Sequence, residues 1–315
     1  MDVMVSGKHS VLEGVKFGVG TWAWGDRLFW GFGQNYHESD LQTVFHYCLQ
    51  VGLNFFDTAE SYGQGHSESF LGEFLKTTTQ PVKIATKFAP YPWKFGKGAL
   101  MKSLRNSLKR LGLNKVDLYQ MHFPVPFLRI ETWMEAMAEA YQSGLVAAVG
   151  VSNYDRSQTQ RAFDALTRLG VNLTSNQVEY HLLDRNIEKN GLLAQCKDLG
   201  VAVIAYSPLA QGVLTGKYTA ENPPQGMRSG RYNRKYLAQI QPLIVQLRKI
   251  GAAHAGKTPA QISLNWVMRK GAIPIPGAKN IEQAEMNAGA LGWELSEDEV
   301  RQLDEFSDRV GKSSS

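Results

Sequence analysis

Cysteine is scarce in this chain: Cys48 and Cys196 are the only two among 315 residues. Both fall inside helical patterns and neither has a partner at a metal-binding spacing. That speaks against a disulfide framework and points to a reducing compartment. Long apolar runs are missing as well. No stretch approaches the ~20 residues that cross a bilayer. The opening segment MDVMVSGKHS has neither the apolar core of a signal peptide nor the Arg- and Ser-rich character of a transit peptide, so the expected location is cytoplasmic. Blocks of one charge are absent too, since 34 basic residues are dispersed among 29 acidic ones for a net charge of +5. This dispersal excludes a nucleic-acid or membrane surface as the expected partner, while the modest positive balance suits a small polyanionic cofactor. The seven histidines are scattered, with no His-Glu-x-x-His or paired-cysteine motif, so no metal site is expected.

What is present is a regular alternation of short apolar runs with longer amphipathic segments. The strand-like runs are Val15–Thr21, Asn54–Asp57, Lys83–Lys87, Val116–Met121, Val146–Val151, Leu173–Gln177, Val201–Tyr206 and Ile273–Ile275. Between them lie helical patterns such as Gly98–Leu111, where Leu100, Leu104, Leu108 and Leu111 recur at helical steps, and Arg161–Leu169 and Asn190–Leu199 behave alike. Gly52, Gly112, Gly144, Gly170 and Gly200 each follow the last apolar position of such a segment, where a glycine closes a helix. Strand–helix repetition predicts a parallel sheet with helical crossovers, and eight units predict a single (β/α)8 TIM barrel spanning 1–315. A doubly wound open sheet is the alternative. Its glycine-rich first turn is not here, because Gly31-Phe32-Gly33 lacks the third glycine and Gly18-Val19-Gly20 leads into Thr21-Trp22-Ala23-Trp24. The irregular stretch 208–235 reads as a functional βα-loop, and the tail 311–315 as disordered.

One motif is a decoy. Gly251-Ala252-Ala253-His254-Ala255-Gly256-Lys257-Thr258 fits the P-loop pattern, yet Leu243, Leu247 and Ile250 predict a helix running into it rather than a strand. Thr258-Pro259-Ala260-Gln261 then reads as a capping box opening the next helix.

In a barrel, chemistry lives where strands end and βα-loops begin. Those positions hold Asp57, with Tyr62 in the loop beyond it, then Lys87, His122, Ser152-Asn153, Gln177 and Tyr206-Ser207. Four ionisable types at neighbouring strand ends point to acid–base work. A tyrosine with its ordinary pKa of ~10 is a reluctant acid. A lysine ammonium at ~4 Å supplies roughly 4 kcal/mol at an effective dielectric of 20, enough to bring the phenol toward neutrality. Lys87 is the candidate, neutralised and positioned by Asp57, with His122 a second hydrogen-bond partner for a carbonyl oxygen. Such an assembly is a proton donor over a developing alkoxide. Paired carboxylates for glycoside cleavage are unconvincing, and Asp57 and Glu179 would be the pair to test. Trp22, Trp24, Trp30, Trp93, Phe88 and Phe123 fall in or near the loops, predicting an aromatic box for planar aldehydes rather than sugars.

These residues resemble the aldo-keto reductase family. Asn54-Phe55-Phe56-Asp57-Thr58-Ala59-Glu60-Ser61-Tyr62-Gly63 is similar to its first signature, Leu113–His122 to its second, and Ile273-Pro274-Ile275-Pro276-Gly277 lies in its third. The resemblance runs from Phe17-Gly18-Val19-Gly20-Thr21-Trp22 to Asn287. It implies NADPH-dependent reduction of aldehydes and ketones by a tetrad of Asp57, Tyr62, Lys87 and His122, with Tyr62 the general acid. It implies that Ser152, Asn153 and Gln177 hold the nicotinamide carboxamide and that Tyr206 stacks on the ring, with Thr21, Trp22 and Gly277 also at the cofactor. Ser207, Leu209, Gly212 and Lys217 then line the pyrophosphate, and Arg228, Lys279, Gln283 and Asn287 the adenosine end, with Arg231 and Arg234 as alternates. The chain departs from the family pattern where Gly277 replaces a lysine, Gln283 an arginine and Met286 a glutamate, leaving Lys279 to compensate. The run Pro-Ile-Pro-Gly-Ala-Lys-Asn is most similar to plant and cyanobacterial members, pyridoxal reductases among them. The family also includes NADPH-binding regulatory subunits with little turnover, the alternative to an active enzyme.

Overall fold

The computed structural model describes residues 11–94, 96–125 and 128–312. The opening ten residues, read above for targeting signals, lie outside this range. Five strand–helix units come first: β1 (Val19–Gly20) and α1 (Glu38–Gln50), β2 (Phe55–Asp57) and α2 (His66–Leu75), β3 (Lys83–Phe88) and α3 (Gly96–Leu111), β4 (Val116–Met121) and α4 (Ile130–Gln142), β5 (Val146–Ser152) and α5 (Arg156–Arg168). β6 (Leu173–Glu179) is followed by the short α6 (Asn186–Lys189) and α7 (Leu192–Asp198). β7 (Ala202–Tyr206) leads through α8 (Arg228–Arg231) and α9 (Arg234–Ala253) to α10 (Pro259–Arg269). After β8 (Ile273–Pro274) come α11 (Ile281–Ala288) and α12 (Glu297–Lys312).

All neighbouring strands pair in parallel and in sequential order from β1 to β8. The two ends of the sheet meet. Gly20 bridges Gly277, and the amides of Gly18 and Gly20 donate to the carbonyls of Pro274 and Pro276 at 3.0 Å. The sheet is thus closed into a (β/α)8 barrel. A Cβ on Gly20 would stand 2.7 Å from the Ile275 carbonyl oxygen, so this seam closes only over a glycine.

Inside the barrel, Phe55, Ala85, Leu118, Ala148, Ile204 and Ile273 pack with Leu12 as one apolar cluster. Between the sheet and the helices lies a second, larger core that includes Phe56, Phe88, Trp133, Leu166 and Trp266. The helix stops behave as the glycines predict, with Gly52, Gly112, Gly144, Gly170 and Gly200 at φ between 65° and 80°. The decoy also resolves as a corner between helices. α9 runs through Gly251, Thr258 caps α10 in a capping box with Gln261, and the Lys257 ammonium is spent on the Gly289 carbonyl at 3.1 Å.

The long connection after β7 is partly ordered by a 3-10 turn at Ala210–Thr215 and by α8 before α9 begins at Arg234. α12 takes in Gly311 and Lys312, so the expected tail is helical at its start, and residues 313–315 lie outside the described range. Among the described residues, no helix is long and apolar enough to cross a membrane.

Candidate active site

Side chains alternate along a strand, so the residue two steps past an inward apolar one also points inward, nearer the barrel mouth. Two steps beyond Phe55, Ala85, Leu118 and Ile204 stand Asp57, Lys87, Gln120 and Tyr206. This second layer is polar. Lys87 is fully buried, with its Nζ on Asp57 Oδ1, on the Thr58 carbonyl at 2.8 Å and on the Tyr62 hydroxyl at 3.3 Å. The other carboxylate oxygen, Asp57 Oδ2, accepts from Gln177 Nε2 at 2.8 Å and from Gln120 Nε2 at 3.2 Å. Ser175 in turn donates to Gln120 at 3.3 Å. A buried carboxylate with three donors is satisfied in the way burial demands.

The electrostatics correct one expectation. Burial pushes the Tyr62 phenol up and outweighs the lowering by Lys87, whose charge Asp57 offsets. The net direction is above the ordinary value, not toward neutrality, and the phenol is a firm proton holder. Burial would lower Lys87, but Asp57 and Tyr62 outweigh it and keep the ammonium charged. His122 is pushed down to about 3 by burial and then by the positive charge of Lys87.

Between that value and the ordinary ~6.5 of a histidine, the unfolded chain binds a proton that the folded chain refuses. Stability therefore falls as pH drops through this window. Acidification from about pH 7 to about pH 5 should lower Tm more in the wild type than in His122→Asn. Equal acid slopes for the two proteins would contradict the buried, neutral imidazole.

Tyr62, Asp57 and His122 open onto a cavity of about 830 Å³. Of the residues expected at the cofactor, Trp22, Ser152, Asn153, Gln177, Tyr206, Ser207, Leu209, Gly212, Lys217, Arg228, Gly277, Lys279, Gln283 and Asn287 all line it. Thr21 does not. It is buried, and its hydroxyl donates to the Asp57 carbonyl at 3.0 Å and accepts from Ser67 at 2.8 Å. Tyr206 donates to Asn153 Oδ1 at 2.9 Å, which fixes its ring at the cavity wall.

Three cations share one end of this cavity. Lys279 is pushed below the ordinary lysine value by burial and by the charges of Arg228 and Lys217. Arg228 donates to the Tyr218 hydroxyl at 3.1 Å, and among the described residues Asp57, at the Tyr62 end, is the one carboxylate that lines the cavity. Such a cluster suits a phosphate. Beside it the backbone turns sharply. Among the described residues, six non-glycine positions have φ in the left-handed region, and all but Ala255 lie in loops at the barrel mouth: Gln64, Asn153, Ser207, Ala210 and Gln211. Strain concentrated this way marks a built site. Of the alternates, Arg231 is engaged elsewhere, with its guanidinium on Glu179 at 2.8 Å, and Arg234 is an exposed residue that does not line the cavity. Glu179 itself does not line the cavity onto which Asp57 opens.

The aromatic box is smaller than expected. Trp22 and Trp30 line the cavity, edge to face at 5.4 Å, with Phe29 stacked on Trp22 at 5.0 Å. Asp26 Oδ1 holds this loop by accepting from the Phe29 and Trp30 amides at 2.7 and 3.0 Å. Trp24 and Phe88 are instead fully buried in the core, since each points away from the barrel axis. Trp93 is 76% exposed and stacks on Tyr91, and Phe123 packs against His122 without lining the cavity.

The model of the Aldo/keto reductase family matches residues 16–308. The chain belongs to the aldo/keto reductase family. It is 40% identical over 311 residues to the chloroplastic pyridoxal reductase of Arabidopsis thaliana, covering 94% of this chain and 84% of that one. It is 31% identical over 300 residues to the L-glyceraldehyde 3-phosphate reductase of Escherichia coli K12, covering 88% and 86%. Two solved aldo/keto reductase structures from Klebsiella pneumoniae, one in complex with NADP and acetate and one with NADPH, are each 29% identical with a TM-score of 0.72. Each alignment spans 93% of this chain and, respectively, 91% and 90% of the solved chain.

Three wall residues of this aldo/keto reductase that the motifs leave unmarked are Tyr91, Gln211 and Tyr218, and Ser61 and Met286, which lie within the family pattern, also line the cavity. Gln120 lies beneath it against Asp57. Strand alternation finds Gln120, two steps before His122, but nothing local marks Tyr91, which reaches the cavity from a loop.

Proposed function

We propose that this oxidoreductase is a one-domain enzyme that reduces aldehydes and ketones to alcohols with NADPH, with Tyr62 as the general acid. The observation that carries the reading is the buried Lys87–Asp57 pair directly behind a Tyr62 hydroxyl that opens, beside His122, onto the cavity. When bound, the dinucleotide supplies the hydride. The carbonyl oxygen is then the atom that gains negative charge, and Tyr62 is the donor positioned to protonate it. A phenol that holds its proton firmly is present in the acid form whenever a carbonyl arrives, and Lys87 offsets the charge it acquires on donating. Ser152, Asn153, Gln177 and Tyr206 would hold the nicotinamide, and Lys217, Arg228 and Lys279 the phosphates. Both cysteines are unpaired and buried, which suits the reducing cytoplasmic setting proposed for the chain.

Among the described residues, the carbonyl end offers an anionic substrate no unpaired cation. Asp57 neutralises Lys87, Glu60 pairs with Lys94 at 2.7 Å, and His122 is uncharged. With Trp22 and Tyr91 in the wall, this favours an uncharged aromatic aldehyde, and the likeness to a pyridoxal reductase makes pyridoxal the first candidate. NADPH oxidation should be measured with pyridoxal, nitrobenzaldehyde, methylglyoxal, glucose and pyridoxal 5′-phosphate. The expected kcat/KM for pyridoxal exceeds that for its phosphate by at least ~10-fold, since an unpaired dianion must be desolvated. Equal efficiency for the two would end the neutral-substrate reading. Tight NADPH binding with no turnover on any member would end the reductase reading and favour a regulatory subunit.

A further inference from the structure

We propose that Ser61 is a positioning residue that keeps the proton of His122 on Nε2, the ring nitrogen left to face a carbonyl oxygen. The proposal rests on the reductase reading above. Ser61 and His122 both line the cavity, and Ser61 Oγ lies 3.4 Å from His122 Nδ1. That spacing lies at the long end of the hydrogen-bond range.

The two side chains are held in place independently. Glu60, just before Ser61, accepts the Ala89 amide at 2.7 Å and pairs with Lys94. Tyr62, just after it, is held by Lys87, and the Ser61 carbonyl accepts the Gln64 amide at 3.2 Å. On the other side, the His122 amide donates to Phe88 at 2.9 Å and its carbonyl accepts from Asn153 at 3.0 Å. The Tyr62 ring meets the imidazole edge to face at 5.7 Å.

Proton counting then narrows the role. A histidine pushed down to about 3 is neutral at any working pH, so the ring carries one proton and has two tautomers. With the proton on Nδ1, the Nε2 lone pair would face the lone pairs of the substrate carbonyl and repel them. With the proton on Nε2, the ring becomes a second donor beside the Tyr62 hydroxyl. Among the described residues, Ser61 is the only group hydrogen-bonded to the imidazole, and His122 is the only partner of the Ser61 hydroxyl. A serine hydroxyl has one proton to give. The contact is compatible with either direction, and in the proposed one the hydroxyl donates to Nδ1, which requires a lone pair there and puts the ring proton on Nε2. One loop thus presents the acid and orients the second donor from adjacent residues.

The test reads the tautomer directly. Protein labelled with nitrogen-15 histidine, with and without NADP+, is examined by long-range proton–nitrogen NMR, and His122→Asn assigns the ring signals. The expected wild-type pattern is pyridine-type Nδ1 and pyrrole-type Nε2, giving way to mixed tautomers in Ser61→Ala and returning in Ser61→Thr. On the best carbonyl substrate, kcat should fall about 3- to 10-fold in Ser61→Ala, the size of one net hydrogen bond. It should recover in Ser61→Thr, with NADPH affinity unchanged throughout. A proton on Nδ1 in the wild type, or an unchanged tautomer in Ser61→Ala, overturns the assignment. A wild-type protein without turnover would instead refute the reductase reading, which the NMR result does not depend on.

Discussion

Tyr62→Phe is expected to lower carbonyl reduction by at least ~10²-fold, the lower range for a positioned general acid, while NADPH still binds. The substitution removes one hydroxyl at the cavity wall. The groups proposed to hold the dinucleotide come from the ends of β5 to β8 and their loops, so quenching of tryptophan fluorescence by NADPH should persist. Lys87→Met should do comparable damage by another route. It removes the one charge that offsets burial of the phenolate, and it leaves Asp57 with the two amides alone. Breaking a buried ion pair costs about 3–5 kcal/mol, so Tm must be recorded beside turnover to separate lost folding from lost chemistry. The double variant should be little worse than either single one, because the two groups act as a unit. Wild-type turnover in Tyr62→Phe would remove the mechanism altogether.

The second large effect concerns the choice between NADPH and NADH. The extra phosphate of NADPH is expected at Arg228 and Lys279, where burial and then the charges of Arg228 and Lys217 hold Lys279 below its ordinary pKa. An anion placed there relieves the repulsion among these charges. Arg228→Ala and Lys279→Ala should each weaken NADPH by about 1–3 kcal/mol, the range for hydrogen bonds to charged groups, and leave NADH almost unchanged. Titration of both variants with both dinucleotides by fluorescence or calorimetry checks this. Equal losses for the two cofactors would show that the cluster grips something common to both.

How far these arguments reach from the sequence depends on the period each element keeps. β4 is read to the residue, Val116–Met121, as a short, largely buried apolar-rich run. β1 is read too long. Val15 folds back onto the Leu12 carbonyl at 3.0 Å, and only Val19–Gly20 pairs with β2, an arrangement set by barrel closure rather than by local apolarity. α5 starts earlier than its leucines suggest, since Asp155 caps a polar first turn that carries no periodic signal. The pattern read over Asn190–Leu199 is α7, opened by Gly191 at φ 78°, while the short α6 before it carries no periodic signal.

The site shows the same division. Asp57, Lys87, His122 and Gln177 are readable as strand ends. The inward or outward aim of aromatic residues is not, and Phe88 next to the inward Lys87 ends up in the core. The direction of the Tyr62 shift was hidden as well, because Asp57 and burial act on the phenol through distances that only the folded chain fixes.

Gln177 has a single amide group, and its nitrogen is already committed to Asp57 at 2.8 Å. One of its two N–H donors is thereby used, and the other N–H and the carbonyl oxygen remain for the dinucleotide carboxamide that we propose it holds. On the proposed reading one side chain would serve two sites at once, and the two would be thermodynamically linked. Whatever free energy the buried ion pair contributes to dinucleotide affinity through Gln177, the bound dinucleotide returns to the ion pair in equal measure. Cofactor occupancy and the electrostatic setting behind Tyr62 are thus two readings of one equilibrium.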